Sequence, residues 1–408
     1  MGERFKVSVR ANRLFLLLVL VSVAAAMGIA LMSGQALRYE DERDYFGLAQ
    51  RVGQGLGYVT PALTPTAYRP PGYPLLMVPF AGAAYGVLCL KLLNAALLGV
   101  ALCLMRALVA RETPLVAWMA GGAALCYPVW LYAASTLYPQ ILCMVLLLAL
   151  VYLLSSRSAS WWAFLCAGVL FGYLILVAPS FQLLGPVLAL YVAVWGPFTV
   201  GRNLLAAAVL GGVTMLAVAP WYVRNYQVFG EFVPVATNGG INLLLGNSEF
   251  TRPNSGVAVD LSRYEAQVQG YNEVETSRAF QRFAVEWVKA HPVDAARLYV
   301  QKALNYYNYR AETVTEQPGS KWKDGLMFVT YYPLLLLVLF RLMLARRLPL
   351  SRMEGLLLGL YVVNGLLAAL FFTRLRFRLP LDGLLMTLAI IALGRLAAWR
   401  SARASERG

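Results

Sequence analysis

The chain has 408 residues, 60% of them hydrophobic and only 13% charged, with a mean hydropathy of +0.62. This excludes an ordinary soluble domain and identifies an all-α polytopic membrane protein. The net charge of +15 does not indicate nucleic-acid binding: the basic residues cluster at the ends of apolar runs, as the positive-inside rule expects, and no patch interleaves them with aromatics on a soluble domain.

In chain order, a basic arm with Arg4, Lys6, Arg10 and Arg13 precedes the apolar run 14–32. At ~20 residues per crossing this run spans a bilayer. Ala24 to Ala26 resembles a cleavage site, but the run continues past it, so it reads as an uncleaved anchor with the N-terminus in the cytoplasm. The next segment, 34–73, is polar and carries the candidate chemistry. Asp41, Glu42 and Asp44 fall within one helical turn, and Asp41 and Asp44 share a face at i, i+3. Arg69, followed by Pro70, Pro71 and Gly72, sits on a stiff connector that returns a guanidinium to the membrane surface. The alternative for the acids is a helix-start role against the macrodipole; for Arg69 it is a clamp on the Pro-rich turn.

Segment 73–84 reads as a short interfacial helix. Spans are expected at 87–109, with Lys91 snorkelling at its outer end, then at 114–133, 139–154, 161–177, 183–200 and 204–221. Arg106, Arg111, Arg157 and Arg202 mark the inner turns. The polar segment 223–323 is expected outside as a small mixed cap. Its first part is strand-like, with Gly and Asn turns; its later part is helical from Tyr271 to Tyr307, broken at His291-Pro292. Further spans at 326–344, 355–372 and 379–397 bring the count to about ten, both ends inside. This divides the chain into an N-terminal transmembrane module (1–222), the cap, and C-terminal helices with a basic tail (324–408) that includes Arg400, Arg403 and Arg407.

One loop opposes the charge rule. Thr373 to Arg378 reads T-R-L-R-F-R and lies outside by parity; in an extended segment Arg374, Arg376 and Arg378 would point one way and form an anion site. Contact with anionic lipid headgroups is the plainer reading. Arg224 and Asn225 either join that site or cap the preceding span, and Lys302 lies on an amphipathic helix. The five cysteines lie in apolar runs without a CxxC pair and read as core residues. With one histidine, a His-based metal site is not expected. A divalent ion on Asp41, Glu42 and Asp44 is chemically compatible but unsupported by the pattern.

The series Asp41-Glu42 after the first span, Arg69-Pro70-Pro71-Gly72-Tyr73-Pro74, Pro220-Trp221-Tyr222-Val223-Arg224-Asn225-Tyr226, Asn238-Gly239-Gly240, Gly246-Asn247 and Arg376-Phe377-Arg378-Leu379-Pro380 resembles the bacterial GT-C glycosyltransferases. Within them it is most similar to the group related to protein O-mannosyltransferases and the lipid A aminoarabinose transferase. The resemblance runs along nearly the whole chain. It implies a GT-C-like bundle of the bacterial inner membrane with outer juxtamembrane helices. It also implies inverting transfer of a sugar from a polyprenyl-phosphate (undecaprenyl-phosphate-like) donor to an extracytoplasmic hydroxyl on lipid A, a glycan or a protein, without a cofactor. Asp41 takes the base position, with Asp44 the runner-up and Glu42 orienting neighbours. Arg69, Arg224, Lys302, Arg374, Arg376 and Arg378 are the candidate phosphate holders, and Tyr45, Tyr73, Asn225, Asn238 and Asn247 the candidate substrate contacts. Two departures stand out: Leu137-Tyr138-Pro139-Gln140 where relatives carry Ser-Glu, and Val177-Ala178-Pro179-Ser180 where they often carry an arginine. The short segment after the last span leaves acceptor recognition to the cap and outer loops. The competing classes are a polyprenyl-diphosphate-dependent O-antigen ligase or polymerase, a lipid-linked sugar flippase or transporter, and a structural scaffold. A transporter would be expected to carry mid-membrane ionisable groups and internal repeats.

Overall fold

The computed structural model describes residues 2–156, 160–310 and 321–405. The expected arginines Arg157 and Arg407 lie outside them. In order, the helices are α1 (Gly2–Ser33), α2 (Glu40–Gly53), α3 (Gly72–Ala81), α4 (Gly86–Glu112), α5 (Ala123–Cys126), α6 (Val129–Ala134), α7 (Gln140–Leu154), α8 (Trp161–Val177), α9 (Gly185–Trp195), α10 (Val200–Phe229), α11 (Gly239–Gly246), α12 (Ser262–Glu265), α13 (Glu273–Ala290), α14 (Pro292–Tyr306), α15 (Lys321–Met343), α16 (Arg352–Ala368) and α17 (Leu375–Ser405). The protein is an all-α polytopic membrane protein.

Five helices among the described residues are long and apolar enough to cross a membrane: Val9–Ser33, Gly86–Glu112, Val200–Phe229, Lys321–Met343 and Leu375–Ala404. The other expected spans fall on shorter helices. The run expected at 114–133 is interrupted, passing from a 3-10 stretch, Pro114–Gly122, into the short α5 and α6. Gly121, Gly122 and Pro128 supply poor helix formers at those breaks. Helix α17 forms the centre of the bundle, packed by α4, α7, α15 and α16. Its residues Leu381, Leu384, Leu385, Leu388 and Ile391 are all buried, so burying its apolar surface ties both halves of the chain together.

Small residues let helices approach closely. A Cβ on Gly168 or Gly172 of α8 would lie 2.7 Å from Val213 or 2.6 Å from Ala217 on α10; contact this close needs a residue without a side chain, as at many membrane helix crossings. Lys91 does not snorkel. It is buried, and its Nζ donates to Ser33 Oγ (3.0 Å), Gly34 O (2.9 Å) and Ala36 O (2.7 Å), so it satisfies carbonyls at the end of α1 that no helical amide reaches. The cysteines also depart from the expectation: Cys143 is buried, while Cys89, Cys103, Cys126 and Cys166 face outward, all as free thiols.

Among its described residues the cap is helical, not mixed. Among the described residues the sole β feature is an isolated bridge between Val59 and Pro65, outside the cap. Helix α10 runs through Pro220 to Phe229 and stops at Gly230, whose φ of 68° gives the left-handed end that glycine adopts most readily. The strand-like pattern after it instead supports a loop and α11. Helices α11, α12 and α13 share a small apolar core that includes Leu244, Tyr264, Phe280 and Ala284, with Phe372 from the loop before α17. Helix α13 starts with a capping box, Asn272 with Glu275, and the break before α14 falls at His291-Pro292 as the sequence predicts.

Candidate functional site

Helix α2 starts with Glu40, Asp41 and Glu42 in its first turn and turns Tyr45, Phe46, Leu48 and Ala49 inward, so the acids suit its positive end and its apolar stripe fixes its rotation. Glu42 is buried and uses both carboxylate oxygens. Its Oε2 accepts from the amides of Arg38 (2.7 Å) and Tyr39 (2.9 Å), and its Oε1 accepts from the Leu137 amide (2.7 Å). One buried carboxylate thus joins the helix start to the loop before α7.

The loop to Arg69 is equally well anchored. Tyr58 donates its hydroxyl to the Arg69 and Pro70 carbonyls at 3.0 and 3.2 Å. Arg224 donates to Tyr58 O (2.9 Å) and Thr66 O (2.8 Å), and Glu273 accepts from the Thr66 hydroxyl (2.6 Å) and the Ala67 amide (2.9 Å). At Gly72 a Cβ would sit 2.8 Å from the Val177 backbone nitrogen; only glycine lets α3 meet the end of α8 there.

Asp41 is held between two guanidinium groups. Its Oδ1 lies 2.6 Å from Arg69 Nη2, and its Oδ2 lies 2.5 Å from Arg376 Nη1. Tyr138 donates its hydroxyl to the same Oδ2 at 3.1 Å and accepts from Arg376 Nη1 at 3.0 Å. Arg69 also pairs with Asp44 at 2.7 Å and lies over the Tyr45 and Tyr68 rings. The side chain of Asp41 is 19% exposed and that of Arg376 27%, so the group opens to its surroundings on one side. Burial pushes the Asp41 carboxyl up, but the charges of Arg376 and Arg69 outweigh it and hold the group below its ordinary range. Burial opposes the charge of Arg69, and Tyr45, Asp41 and Asp44 outweigh that, keeping it firmly cationic.

The expected constellation assembles only in part. Asp41, Asp44, Arg69, Arg376 and Tyr45 meet; Tyr73 lies beneath Tyr45 and is buried, with Asn94 donating to its hydroxyl at 3.2 Å. The arginines of 374–378 do not point one way, because α17 begins at Leu375 and rotates successive side chains apart. Arg374 lies against Gly256. Arg378 turns into the bundle and pairs with Asp382 at 3.1 Å, both fully buried. Arg224 clamps the loop carrying Arg69 without reaching Asp41, and Asn225 accepts from Arg224 at 3.0 Å and donates to Val233 O at 3.3 Å. Asn238 precedes α11, and Asn247 bridges Leu243 O and Leu370 O. Tyr138, noted in the sequence only within Leu137-Tyr138-Pro139-Gln140, is a contact to Asp41 that the sequence reading does not assign; its signal is a polar residue just before Pro139 and α7.

Lys302 is also buried away from Asp41. Its Nζ donates to Gly246 O (2.6 Å), Phe371 O (2.7 Å) and Asn247 Oδ1 (3.2 Å), and burial pulls its pKa down to about 7. These bonds fasten α14 to the segment leading to Arg376. Gly246 must be glycine for this contact, since a Cβ there would meet Phe371 O at 2.1 Å. Lys302→Met would leave these acceptors buried without donors at roughly 1–3 kcal/mol each, and a melting curve of the purified protein in detergent is expected to shift clearly downward. An unchanged midpoint would show that this lysine is not a structural tie.

Fold and site together define an all-α polytopic membrane protein in which carboxylates on α2 meet arginines from the Pro-rich loop and the start of α17. No family model and no curated protein matches the chain. Among solved structures it is similar to ArnT from Cupriavidus metallidurans bound to undecaprenyl phosphate, at 14% identity over 93% of this chain and 78% of that one, with a TM-score of 0.43. The apo state of the same protein aligns at 15% identity over 92% and 77%, with a TM-score of 0.39.

Proposed function

We propose that the chain is an integral-membrane, inverting glycosyltransferase of the bacterial inner membrane. It moves a sugar from a polyprenyl phosphate to a hydroxyl of a lipid, glycan or protein acceptor on the extracytoplasmic side. The observation that carries this is Asp41, a carboxylate in the first turn of α2 held between Arg69 and Arg376. The order of motifs along the chain supports the same reading.

In the reaction the acceptor oxygen bonds to the anomeric carbon as its proton passes to Asp41. The bond from that carbon to the phosphate oxygen breaks, and its electron pair leaves with the phosphate. A phosphate monoester carrying that charge needs cations preorganised around it, and Arg376, with Arg69 behind it, is the group placed to supply them. Asp44 keeps Arg69 in position, and Glu42 keeps α2 against the Leu137 loop. The transfer requires no metal.

The test is sugar release by the purified protein in nanodiscs, from a panel of polyprenyl-phosphate sugars and their diphosphate-linked counterparts, with and without chelator. Turnover of a monophosphate donor that survives chelator is expected. Turnover confined to diphosphate donors would move the protein to the ligase class. Absence of donor turnover and donor binding alike would overturn the enzyme reading.

A further inference from the structure

The resting geometry poses a difficulty for a base. Asp41 must take a proton, yet both of its oxygens are occupied: Oδ1 by Arg69, and Oδ2 by Arg376 and Tyr138. Two guanidinium groups also reduce the carboxylate's appetite for a proton. The two arginines are not held alike. Arg69 has Asp44 as a second carboxylate partner, at 2.7 Å, and its own carbonyl is fixed by the Tyr58 hydroxyl at 3.0 Å. Among the described residues Arg376 is ion-paired with Asp41 alone, and it is the more exposed of the two arginines, 27% against 16%. Its Nε is buried with no hydrogen-bond partner among those residues, so its planar fork of donors is incompletely used. A buried donor left unmatched is costly, and an anion offering several oxygens would satisfy it better than one carboxylate oxygen does.

We infer that Arg376 exchanges partners: in the resting protein it masks Asp41, and the phosphate of the donor lipid draws it away, freeing Oδ2 to receive the acceptor proton. This inference rests on the transferase reading above and deepens it. The donor phosphodiester carries a single charge, but its two free oxygens meet the guanidinium fork bidentately where Asp41 offers it one oxygen, and the charge gained by the phosphate as the sugar leaves strengthens that pairing. Arg69 remains on Oδ1 and keeps the carboxylate aimed, while Tyr138, a neutral donor, stays with Oδ2 and can rotate its hydroxyl as the proton arrives; it is a positioning residue. The base therefore becomes competent only when the donor phosphate is in place, and donor binding precedes productive acceptor binding. A donor-free protein does not waste its base on water or on a wrong hydroxyl.

The exchange has a consequence that a purely structural ion pair does not. Removing the carboxylate frees Arg376 in advance, so Asp41→Asn should bind donor lipid more tightly while losing turnover. The measurement is binding of a C55 polyprenyl phosphate, without sugar, to the purified full-length protein in nanodiscs, with the corresponding polyprenol as control. Asp41→Asn is expected to bind roughly tenfold tighter than the unsubstituted protein, the scale of relieving one close charge competition. Arg376→Gln is expected to bind more weakly, and the double variant to match Arg376→Gln, the tightening having vanished with the arginine. Asp41→Ser repeats the test should the asparagine variant fail to fold, as judged by size-exclusion profile and melting curve. Equal or weaker binding by folded Asp41→Asn, with the unsubstituted protein still binding, would overturn the exchange and leave the transferase reading standing. Failure of the phosphate to bind any form better than the polyprenol would overturn both.

Discussion

Asp41→Asn is expected to lower donor turnover by about 10²–10⁴-fold, the usual worth of a positioned general base, without loss of the folded protein. The asparagine keeps the shape of the side chain and an oxygen for one guanidinium, and Arg69 retains Asp44 as its carboxylate partner at 2.7 Å. The pH profile supplies a second readout. The carboxylate works only when deprotonated, so activity falls as pH drops through its pKa. In the free protein Arg376 and Arg69 hold that pKa below the ordinary carboxylate range, and the acid limb of kcat/KM should lie correspondingly low. If the donor phosphate removes Arg376 from Asp41, the pKa in the complex rises, and the acid limb of kcat should lie at higher pH than that of kcat/KM, since the former reports the complex and the latter the free enzyme. In Arg376→Gln that lowering charge is absent from the free protein as well, so the kcat/KM limb should move up to meet the kcat limb. Measured rates against pH for these two proteins decide it: superimposable limbs in the unsubstituted enzyme would show that Arg376 stays on Asp41 throughout.

Much of the site is legible in the sequence because local rules carry it. The i, i+3 spacing of Asp41 and Asp44 places both acids toward one partner, and the rigid Pro70-Pro71-Gly72 connector makes Arg69 a candidate for it. The structure joins them at 2.6 and 2.7 Å. The amphipathic pattern of 271–307, broken at Pro292, corresponds to α13 and α14. Inference across distance is what fails. An extended loop would alternate the arginines of 374–378, yet α17 starts within that loop, and helical rotation sends Arg376 to Asp41 and Arg378 into the core. Lys91 and Lys302 read as solvated or phosphate-seeking cations, but each is buried on carbonyls supplied by a remote turn. The pairing of Asp382 with Arg378 is an i, i+4 relation visible in the sequence. The tyrosines around it, Tyr127 after α5 and Tyr361 on α16, have no local signature.

The pair Arg378–Asp382 is where the largest loss of stability is expected. Both side chains are essentially unexposed, within the candidate span Leu375–Ala404, where an unpartnered charge is most costly. Asp382 accepts from the Tyr127 hydroxyl at 2.7 Å, and Arg378 donates to Tyr306 O at 2.9 Å and Asn308 O at 2.7 Å while its Cζ sits 3.6 Å from the centre of the Tyr331 ring. The pair therefore ties α17 to the end of α14 and to α15. Removing one member strands the other: Asp382→Leu or Arg378→Met is expected to cost roughly 3–5 kcal/mol. Removing both eliminates the buried charge altogether, so Arg378→Met with Asp382→Leu should recover a large part of the loss, a coupling that a double-mutant cycle on thermal midpoints in detergent measures directly. Single losses that simply add would mean the charges act independently. The distinction bears on the site, because Arg376 lies only half a turn before Arg378. With the pair intact, the start of α17 is fixed in rotation and the Arg376 guanidinium is delivered to Asp41. In the single variants donor affinity should fall along with the midpoint. In the double variant the midpoint can recover while donor affinity stays low, since a methionine side chain has no donor for the Tyr306 and Asn308 carbonyls that set that rotation.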